Sequence, residues 1–308
     1  MKTRSERGQS TVLTLVFLTV LLGMAALVLD VGSWYRTKRA AQSTADAAAL
    51  AGAQSLPYDT AGAGNLAMQY ANKNGGGVLP SGVTFSSGVG TNDTITVKMT
   101  KPATGVFSKL FGVKTVTVGA KATARASLMQ SAQYVAPIGV NVLHPKLKGS
   151  GSSCPCFGSG NLTTLPLGKN GAPGSFDLIN IDGSHGGTGG PTLANWILKG
   201  YSGYLPLGSY LSDTGAKWND ASVNAAVQAR LNGPPLLFPV YDTLTGSGAN
   251  AVYHIVGWAA FHLTDFTANG SSGSITGWFE KVDWDGIEST VSDGSNPDLG
   301  ARVVKLID

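Results

Sequence analysis

Three stretches of the chain hold side chains that could carry out catalysis or bind a metal. In the first, the glycine-rich segment D-G-S-H-G-G-T-G-G, His185 stands beside Ser184 and close to Asp182. A histidine near a hydroxyl and a carboxylate is the arrangement that activates a nucleophile for hydrolysis. The segment fits neither a P-loop nor a G-x-S-x-G nucleophile elbow. We therefore interpret it as a flexible turn and keep an anchored hydrolase centred on His185 as an alternative.

The second stretch, in the C-terminal third, contains paired histidines and paired aspartates. His254 and His262 are eight residues apart on one predicted strand, which is too far for a single metal ion. Asp283 and Asp285 resemble the first half of a calcium loop, but the twelfth position is Gly294 where such a loop needs Glu. We expect no cofactor and no metal site.

The third stretch contains the two cysteines, Cys154 and Cys156, which one residue separates. Export of the chain would make oxidation of the two cysteines possible, although a C-x-C disulfide closes a tight and strained ring. An internal disulfide, two free thiols and pairing between molecules all stay open. Without a nearby histidine the two sulfurs do not make a zinc site.

The elements that position these side chains start with an apolar segment from Ser10 to Leu29. Its 20 residues include no charge and no proline, and as a helix they span roughly 30 Å, the thickness of a bilayer's hydrocarbon core. No A-x-A site follows closely, so we predict an uncleaved membrane helix over a signal peptide or a core helix. The predicted anchor residues are Val12, Leu13, Leu15, Val16, Phe17, Leu18, Val20, Leu21 and Leu22.

A helix-forming sequence continues beyond the span as far as Ser55, just before Pro57. The rod predicted from both segments is roughly 70 Å long. The first part of this continuation has the aromatic and charged residues that are typical of a membrane interface. The predicted interfacial residues are Asp30, Trp34, Tyr35, Arg36, Lys38 and Arg39.

Farther along the rod, small residues recur on one face of the helix. Such a smooth stripe lets another helix or a sheet approach closely. We therefore predict a helix that packs against a partner surface. Its residues are Gln42, Ala45, Asp46, Ala49 and Gly52.

The same N-terminal region resembles a known family. Gly8-Gln9, the apolar segment, Asp30-Val31-Gly32 and the D-A-A-A-L-A-G-A sequence from Asp46 are similar to the N-terminus of TadE/TadG-like proteins of Tad (Flp) pilus-assembly systems. The resemblance covers residues 8–55. It implies a single-pass envelope protein that is linked to a tight-adherence pilus machine.

Two departures from family patterns narrow this resemblance. Prepilin processing requires Glu at the fifth position after the cleavage-site glycine, and the fifth residue after Gly8 is Leu13. The TadG-like side of the family therefore fits better. The von Willebrand A domain of many TadG-like proteins needs D-x-S-x-S, and Gly186 stands where the second Ser belongs, so we do not carry that domain over.

The charge distribution bears on partners and on orientation. The net charge of +4 lies entirely within residues 1–39, and residues 40–308 are neutral, so we predict no nucleic-acid partner. Three basic residues flank each side of the span, which leaves the positive-inside count tied. The remaining chain tips the balance, and we predict a single-pass protein of the cell membrane with a cytoplasmic N-terminus and an extracytoplasmic C-terminal domain. The expected partners are the lipid bilayer and other pilus-assembly or envelope proteins, and the oligomeric state stays open.

The predicted fold class is α+β. The 42 glycines and the low charged fraction of 13% favour β structure with many turns. A long transmembrane helix continues outside the membrane, then come a small α/β unit and an antiparallel β-rich domain. Glycine-rich turns between consecutive strands of the C-terminal third predict antiparallel hairpins there. In the small unit, residues 103–111 are predicted to form a short helix that buries Val106, Phe107, Leu110 and Phe111. The predicted segments are a cytoplasmic tail (1–9), the transmembrane helix (10–29), a juxtamembrane Ala-rich helix (30–56), an α+β unit (57–130) and a β-rich extracytoplasmic domain (131–308).

Three functions follow from these patterns. The first is a non-enzymatic, membrane-anchored component or accessory of a Tad-type pilus or surface-assembly system. The second is a surface adhesin or ligand-binding module that uses the glycine-rich loops. The third is the anchored hydrolase around His185.

Overall fold

The N-terminal part of the chain is one continuous helix, α1 (Arg7–Ala53). At 1.5 Å per residue its length is roughly 70 Å, which confirms the predicted continuation of the apolar helix beyond Leu29. Thr14 and Thr19 donate their hydroxyls to backbone carbonyls one turn earlier, at 2.9 and 2.8 Å. This computed structural model describes residues 7–148, 154–167, 176–183, 187–213, 217–269, 272–290 and 294–307.

The chain divides into two compact units. Unit 1 contains residues 1–125 together with 305–308, and unit 2 contains residues 126–304. The division therefore falls slightly before the expected boundary between residues 130 and 131. The C-terminal residues return to unit 1, where the backbone N–H of Ile307 donates to the carbonyl of Thr123 at 2.9 Å.

Unit 1 adds a short helix and a three-stranded antiparallel sheet to α1. Its elements are α2 (Thr60–Lys73), β1 (Val78–Ser86), β2 (Thr94–Thr104) and β3 (Thr115–Ser127). Asp59 caps α2 by accepting the N–H of Gly62 at 2.7 Å. Alanines dominate the contact faces of both helices, so the helices and the sheet approach closely. The fully buried residues of this core include Ala45, Ala49, Ala63, Ala67, Ala71, Ile95 and Val97.

The segment between β2 and β3 corrects the sequence prediction. Residues 103–111 do not form a helix that buries four apolar side chains. Strand β2 instead continues to Thr104, a 3₁₀ turn covers Ser108–Phe111, and Val106, Leu110 and Phe111 are exposed. The apolar spacing of this segment therefore does not report burial inside unit 1.

Unit 2 is the β-rich part of the chain. Its helices are α3 (Gly190–Lys199) and α4 (Ala221–Ala229). Its strands are β4 (Met129–Ala132), β5 (Ile138–Asn141), β6 (Thr163–Pro166), β7 (Phe176–Leu178), β8 (Leu205–Pro206), β9 (Gly208–Leu211), β10 (Leu236–Thr245), β11 (Val252–Asn269), β12 (Ser272–Glu280), β13 (Val282–Asp283), β14 (Gly286–Glu288) and the first four residues of β15 (Ala301–Leu306).

The main sheet of unit 2 has the strand order β6-β12-β11-β10-β5-β7, and β9 also pairs with β11. Strands β10, β11 and β12 form the consecutive antiparallel hairpins that the sequence predicts, whereas β5 runs parallel to β10. Aromatic residues fill the core of this sheet; for example, the rings of Phe261 and Phe279 meet edge to face at 5.0 Å. The α+β class with an antiparallel-rich C-terminal region is confirmed.

Candidate membrane anchor and the Asp30 junction

The apolar residues of α1 from Ser10 to Leu29 are almost all exposed and do not pack into a hydrophobic core. The predicted anchor side chains are 43–72% exposed, and the most apolar 18-residue window has a mean hydropathy of 2.8 with none of it buried. Among the described ranges, α1 is the one helix long and apolar enough to cross a membrane. An apolar surface of this size is stable in lipid and unstable in water. The structure therefore supports anchoring by a single pass. The exposed anchor residues are Val12, Leu13, Leu15, Val16, Phe17, Leu18, Val20, Leu21 and Leu22.

Asp30, the first residue after the span, joins α1 to the loop between β2 and β3. Its side chain is buried, and its two carboxylate oxygens accept hydrogen bonds from the backbone N–H groups of Val106, Phe107 and Ser108. The two Phe107 contacts are 3.1 and 3.2 Å long. Gly105 permits this approach, because a Cβ there would lie 3.0 Å from an Asp30 oxygen. Asp30 is therefore a structural junction as well as an interfacial residue.

Three more side chains of α1 reach backbone carbonyls of the same β2–β3 hairpin. They contact it in an order that follows the helix, so the two strands lie along α1 with the turn nearest to the apolar span. The bond from Ser33 measures 3.0 Å and the bond from Gln42 measures 2.7 Å. The pairs are Ser33 with Thr104, Lys38 with Gly119, and Gln42 with Lys121.

The aromatic and basic residues after Asp30 lie on the first turns beyond the span. Tyr35 is exposed, and the guanidinium of Arg39 lies 5.8 Å from the centroid of its ring. Arg36 and Lys38 are also exposed, whereas Trp34 is half-buried. This group of side chains has the composition that an interface between lipid and water favours.

The small-residue face of α1 contacts α2 and β2 of the same chain. A Cβ added at Gly52 would lie 2.5 Å from Cδ1 of Ile95 and 2.9 Å from the carbonyl oxygen of Ala63. Asp46 accepts a hydrogen bond from Gln42 at 2.8 Å, four residues earlier on the same helix. The helix and the sheet that this smooth face accommodates are thus the chain's own. In this structure the face is not open to another protein. The buried small residues of the face are Ala41, Ala45, Ala48, Ala49 and Gly52.

The other side chains that could do chemistry are dispersed. His185 and Ser184 lie outside the described residues, and Asp182 is exposed. Over the described ranges, no group of three or more His, Cys, Asp or Glu residues could hold a metal ion. Cys154 and Cys156 are joined in a disulfide.

The histidines of the C-terminal third have local partners. His254 pairs with Asp242 at 2.9 Å, and His262 stacks on Trp278 with ring centroids 4.2 Å apart. Both histidines belong to β11, in agreement with their predicted position on one strand.

His144 of unit 2 is buried. Burial and, to a smaller extent, the charge of Lys146 lower the pKa of His144 to about 4. Its Nδ1 accepts the backbone N–H of Lys146 at 3.0 Å, and its Nε2 lies 3.4 Å from the hydroxyl of Thr163. The neutral ring is thus part of the packing.

One feature of the junction was missed in the sequence. The net charge of residues 40–308 is zero, but within them residues 94–121 contain five lysines and no acidic residue. A count in short windows reveals this basic segment, whereas a count over the whole region hides it. The five residues are Lys98, Lys101, Lys109, Lys114 and Lys121.

Comparison with known proteins gives a family match over the apolar span and the part of α1 that follows it. Residues 8–55 match the model of the Tad family, which describes TadE/G-like Flp pilus-assembly proteins. This match covers the apolar segment, Asp30 and the small-residue face, and it confirms the resemblance noted in the sequence. No curated protein and no solved structure gave a significant match.

Proposed function

We propose that the protein is a membrane-anchored, non-enzymatic component or accessory of a Tad/Flp-type pilus or surface-assembly system. The family match over residues 8–55 is the observation that carries this proposal. The exposed apolar span supports it, because α1 presents to its surroundings a surface suited to lipid. In this proposal α1 tethers units 1 and 2 at the membrane, where they contact other pilus-assembly or envelope proteins.

The orientation is the second part of the proposal. The N-terminus is cytoplasmic, and units 1 and 2 lie outside the cytoplasm. Protease added to spheroplasts should degrade both units and leave a fragment that contains the span. Complete protection of both units would reverse this orientation.

The small-residue face of α1 is packed within unit 1, so partner contacts must use other surfaces. The exposed loops and strand edges of unit 2 are the surfaces that we propose for envelope partners.

A deletion strain tests the assembly role. Removing the gene should reduce the number of surface pili and the adhesion of cells, and the full chain supplied in trans should restore both. A deletion strain with normal pili whose purified protein binds a glycan would favour the adhesin alternative. A His185→Ala protein that restores assembly fully would exclude a need for hydrolysis at that residue.

A further inference from the structure

The turn between β2 and β3 has an unusual surface for a water-facing loop. We call residues 105–114 the hairpin tip. Leu110 is 79% exposed and Phe111 is 85% exposed, and the neighbouring Val106 and Val113 are exposed too. Four large apolar side chains within eight residues form a patch that water solvates poorly.

Hydrogen bonds within the hairpin tip fix its conformation. The hydroxyl of Ser108 donates to the carbonyl of Val113 at 2.9 Å, and the N–H of Val113 donates to the carbonyl of Ser108 at 3.0 Å. Gly112 ends the 3₁₀ turn in the left-handed region, with φ of 82°. The apolar side chains are therefore held outward by the backbone.

The position of the hairpin tip along α1 indicates what covers it. Asp30 binds the backbone of Val106, Phe107 and Ser108, so the tip lies beside the helix residue that directly follows the span. The side-chain amide of Gln42 donates to the backbone carbonyl of Lys121 in the same hairpin. Gln42 lies roughly 18 Å beyond Asp30 along the axis of α1, at 1.5 Å per residue. The strands thus descend along α1 to the level where the bilayer begins.

The charges of the hairpin suit the same surroundings. Lys109 and Lys114 are exposed on the hairpin tip, and residues 94–121 contain no Asp or Glu. Arg36 and Arg39 of α1 are exposed on its first turns beyond Asp30. Apolar side chains flanked by lysines are the composition of segments that lie in the interface of anionic membranes.

We propose that the hairpin tip is a second membrane contact, with an anionic lipid bilayer as its occupant. Leu110 and Phe111 enter the boundary between headgroups and acyl chains, and Lys109 and Lys114 contact lipid phosphates. Two contacts, the span and the tip, set how deep α1 sits and how it is rotated about its axis. This proposal rests on the membrane anchoring of α1 proposed above.

Depth measurement in vesicles tests the proposal. The full chain with Phe111→Cys is labelled without reductant by an environment-sensitive thiol fluorophore, so that Cys154 and Cys156 stay in their disulfide. Labelled protein is reconstituted into phosphatidylcholine vesicles with about 30% phosphatidylglycerol. Lipids brominated near the headgroup or near the chain ends then report the depth of the label.

Two matched positions complete this experiment. Thr117→Cys is exposed on the same hairpin but beyond the tip, and Phe17→Cys lies within the span. We expect the shallow bromines to quench the label at position 111 about threefold more than at position 117, since only the tip reaches the lipid. The deep bromines should quench the label at position 17.

The outcomes separate this proposal from the anchor. Quenching at position 17 combined with equal, weak quenching at positions 111 and 117 would overturn the hairpin-tip contact and leave the anchor standing. No quenching at position 17 would overturn both. Shielding of position 111 in native membranes without quenching in vesicles would identify a protein occupant and also overturn the proposal.

The lysines provide an independent check of the lipid headgroup. Lys109→Gln combined with Lys114→Gln should remove most of the extra quenching that phosphatidylglycerol produces at position 111. Lys98→Gln, on the same hairpin but away from the tip, should keep it. Equal quenching in vesicles with and without phosphatidylglycerol would overturn the part of the proposal that concerns anionic lipid.

Discussion

Asp30 and Phe107 are 77 residues apart in the sequence, and a hydrogen bond of 3.1 Å from the Phe107 N–H to Oδ1 of Asp30 joins them. This bond connects the first residue of α1 beyond the apolar span with the turn of the β2–β3 hairpin. Because Asp30 also accepts the N–H groups of Val106 and Ser108, one carboxylate satisfies three consecutive backbone donors. The junction thus fixes the β2–β3 hairpin to α1 at the level of Asp30.

Asp30→Ala should loosen the hairpin tip. The substitution leaves the N–H groups of Val106, Phe107 and Ser108 without their acceptor, so we expect amide hydrogen exchange at residues 106–108 to be on the order of tenfold faster. Hydrogen-exchange mass spectrometry of the full chain in nanodiscs measures this change.

Asp46→Asn is the matched control for Asp30→Ala, because it removes another carboxylate of α1 that bonds to Gln42 of the same helix. Exchange at residues 106–108 should remain at the wild-type rate in this control. Unchanged exchange in Asp30→Ala would show that the carboxylate does not hold the hairpin tip.

Much of the fold can be predicted from the sequence because its signals are local. The apolar segment from Ser10 to Leu29 and the alanine-rich continuation predict α1 by length and helix propensity alone. Alternating strands joined by glycine-rich turns predict the hairpins of β10, β11 and β12 in the same way.

The junction depends on contacts that local patterns do not contain. Asp30 is a charged residue directly after the apolar segment, where an interfacial residue is expected. Nothing near it in sequence indicates that it binds a loop 77 residues away. The apolar spacing of residues 103–111 suggests a buried helix, and the structure exposes Leu110 and Phe111 instead. Hydrophobic periodicity shows that a face is apolar but does not identify what covers it.

Gly52→Ala should destabilise unit 1. The new methyl would lie 2.5 Å from Cδ1 of Ile95 and 2.9 Å from the carbonyl oxygen of Ala63, and such overpacking costs about 1–3 kcal/mol. Urea unfolding of the full chain in detergent, followed by exchange protection of α2 and β2, measures the loss.

Gly32→Ala serves as the control for the same exchange of glycine for alanine. A Cβ at Gly32 meets nothing within 4 Å, so this variant should be neutral or more stable by up to about 1 kcal/mol through helix propensity. Equal stability of the two variants would contradict close packing at Gly52.

His144 should make the stability of unit 2 depend on pH. The folded state lowers the pKa of His144 from 6.5 to about 4, so the unfolded chain binds a proton more readily. Stability is therefore complete above pH 6.5 and falls as the pH drops from about 6.5 to about 4, by at most about 3 kcal/mol. Denaturant unfolding across this range measures the slope.

His144→Gln should flatten that slope, because glutamine cannot take up the proton. His254→Gln replaces the exposed histidine that pairs with Asp242, and the loss of stability at acid pH should persist in this control. An undiminished slope in His144→Gln would assign the pH dependence to other groups.

Leu18→Arg should weaken membrane insertion of α1. Arginine near the centre of a span costs about 3 kcal/mol relative to an apolar residue. A larger part of the protein should then be extracted from membranes at alkaline pH, whereas Leu18→Ile should be extracted no more than the wild type. Equal extraction of both variants would mean that this segment does not cross the bilayer.

The central claim is that α1 stays in the membrane and carries units 1 and 2. Mass spectrometry of the mature protein, purified from alkali-washed membranes, tests this claim most directly. We predict that peptides covering Ser10–Leu29 are present in the same chain as the peptides of unit 2. A mature chain that starts after residue 40, recovered without those peptides, would contradict the claim.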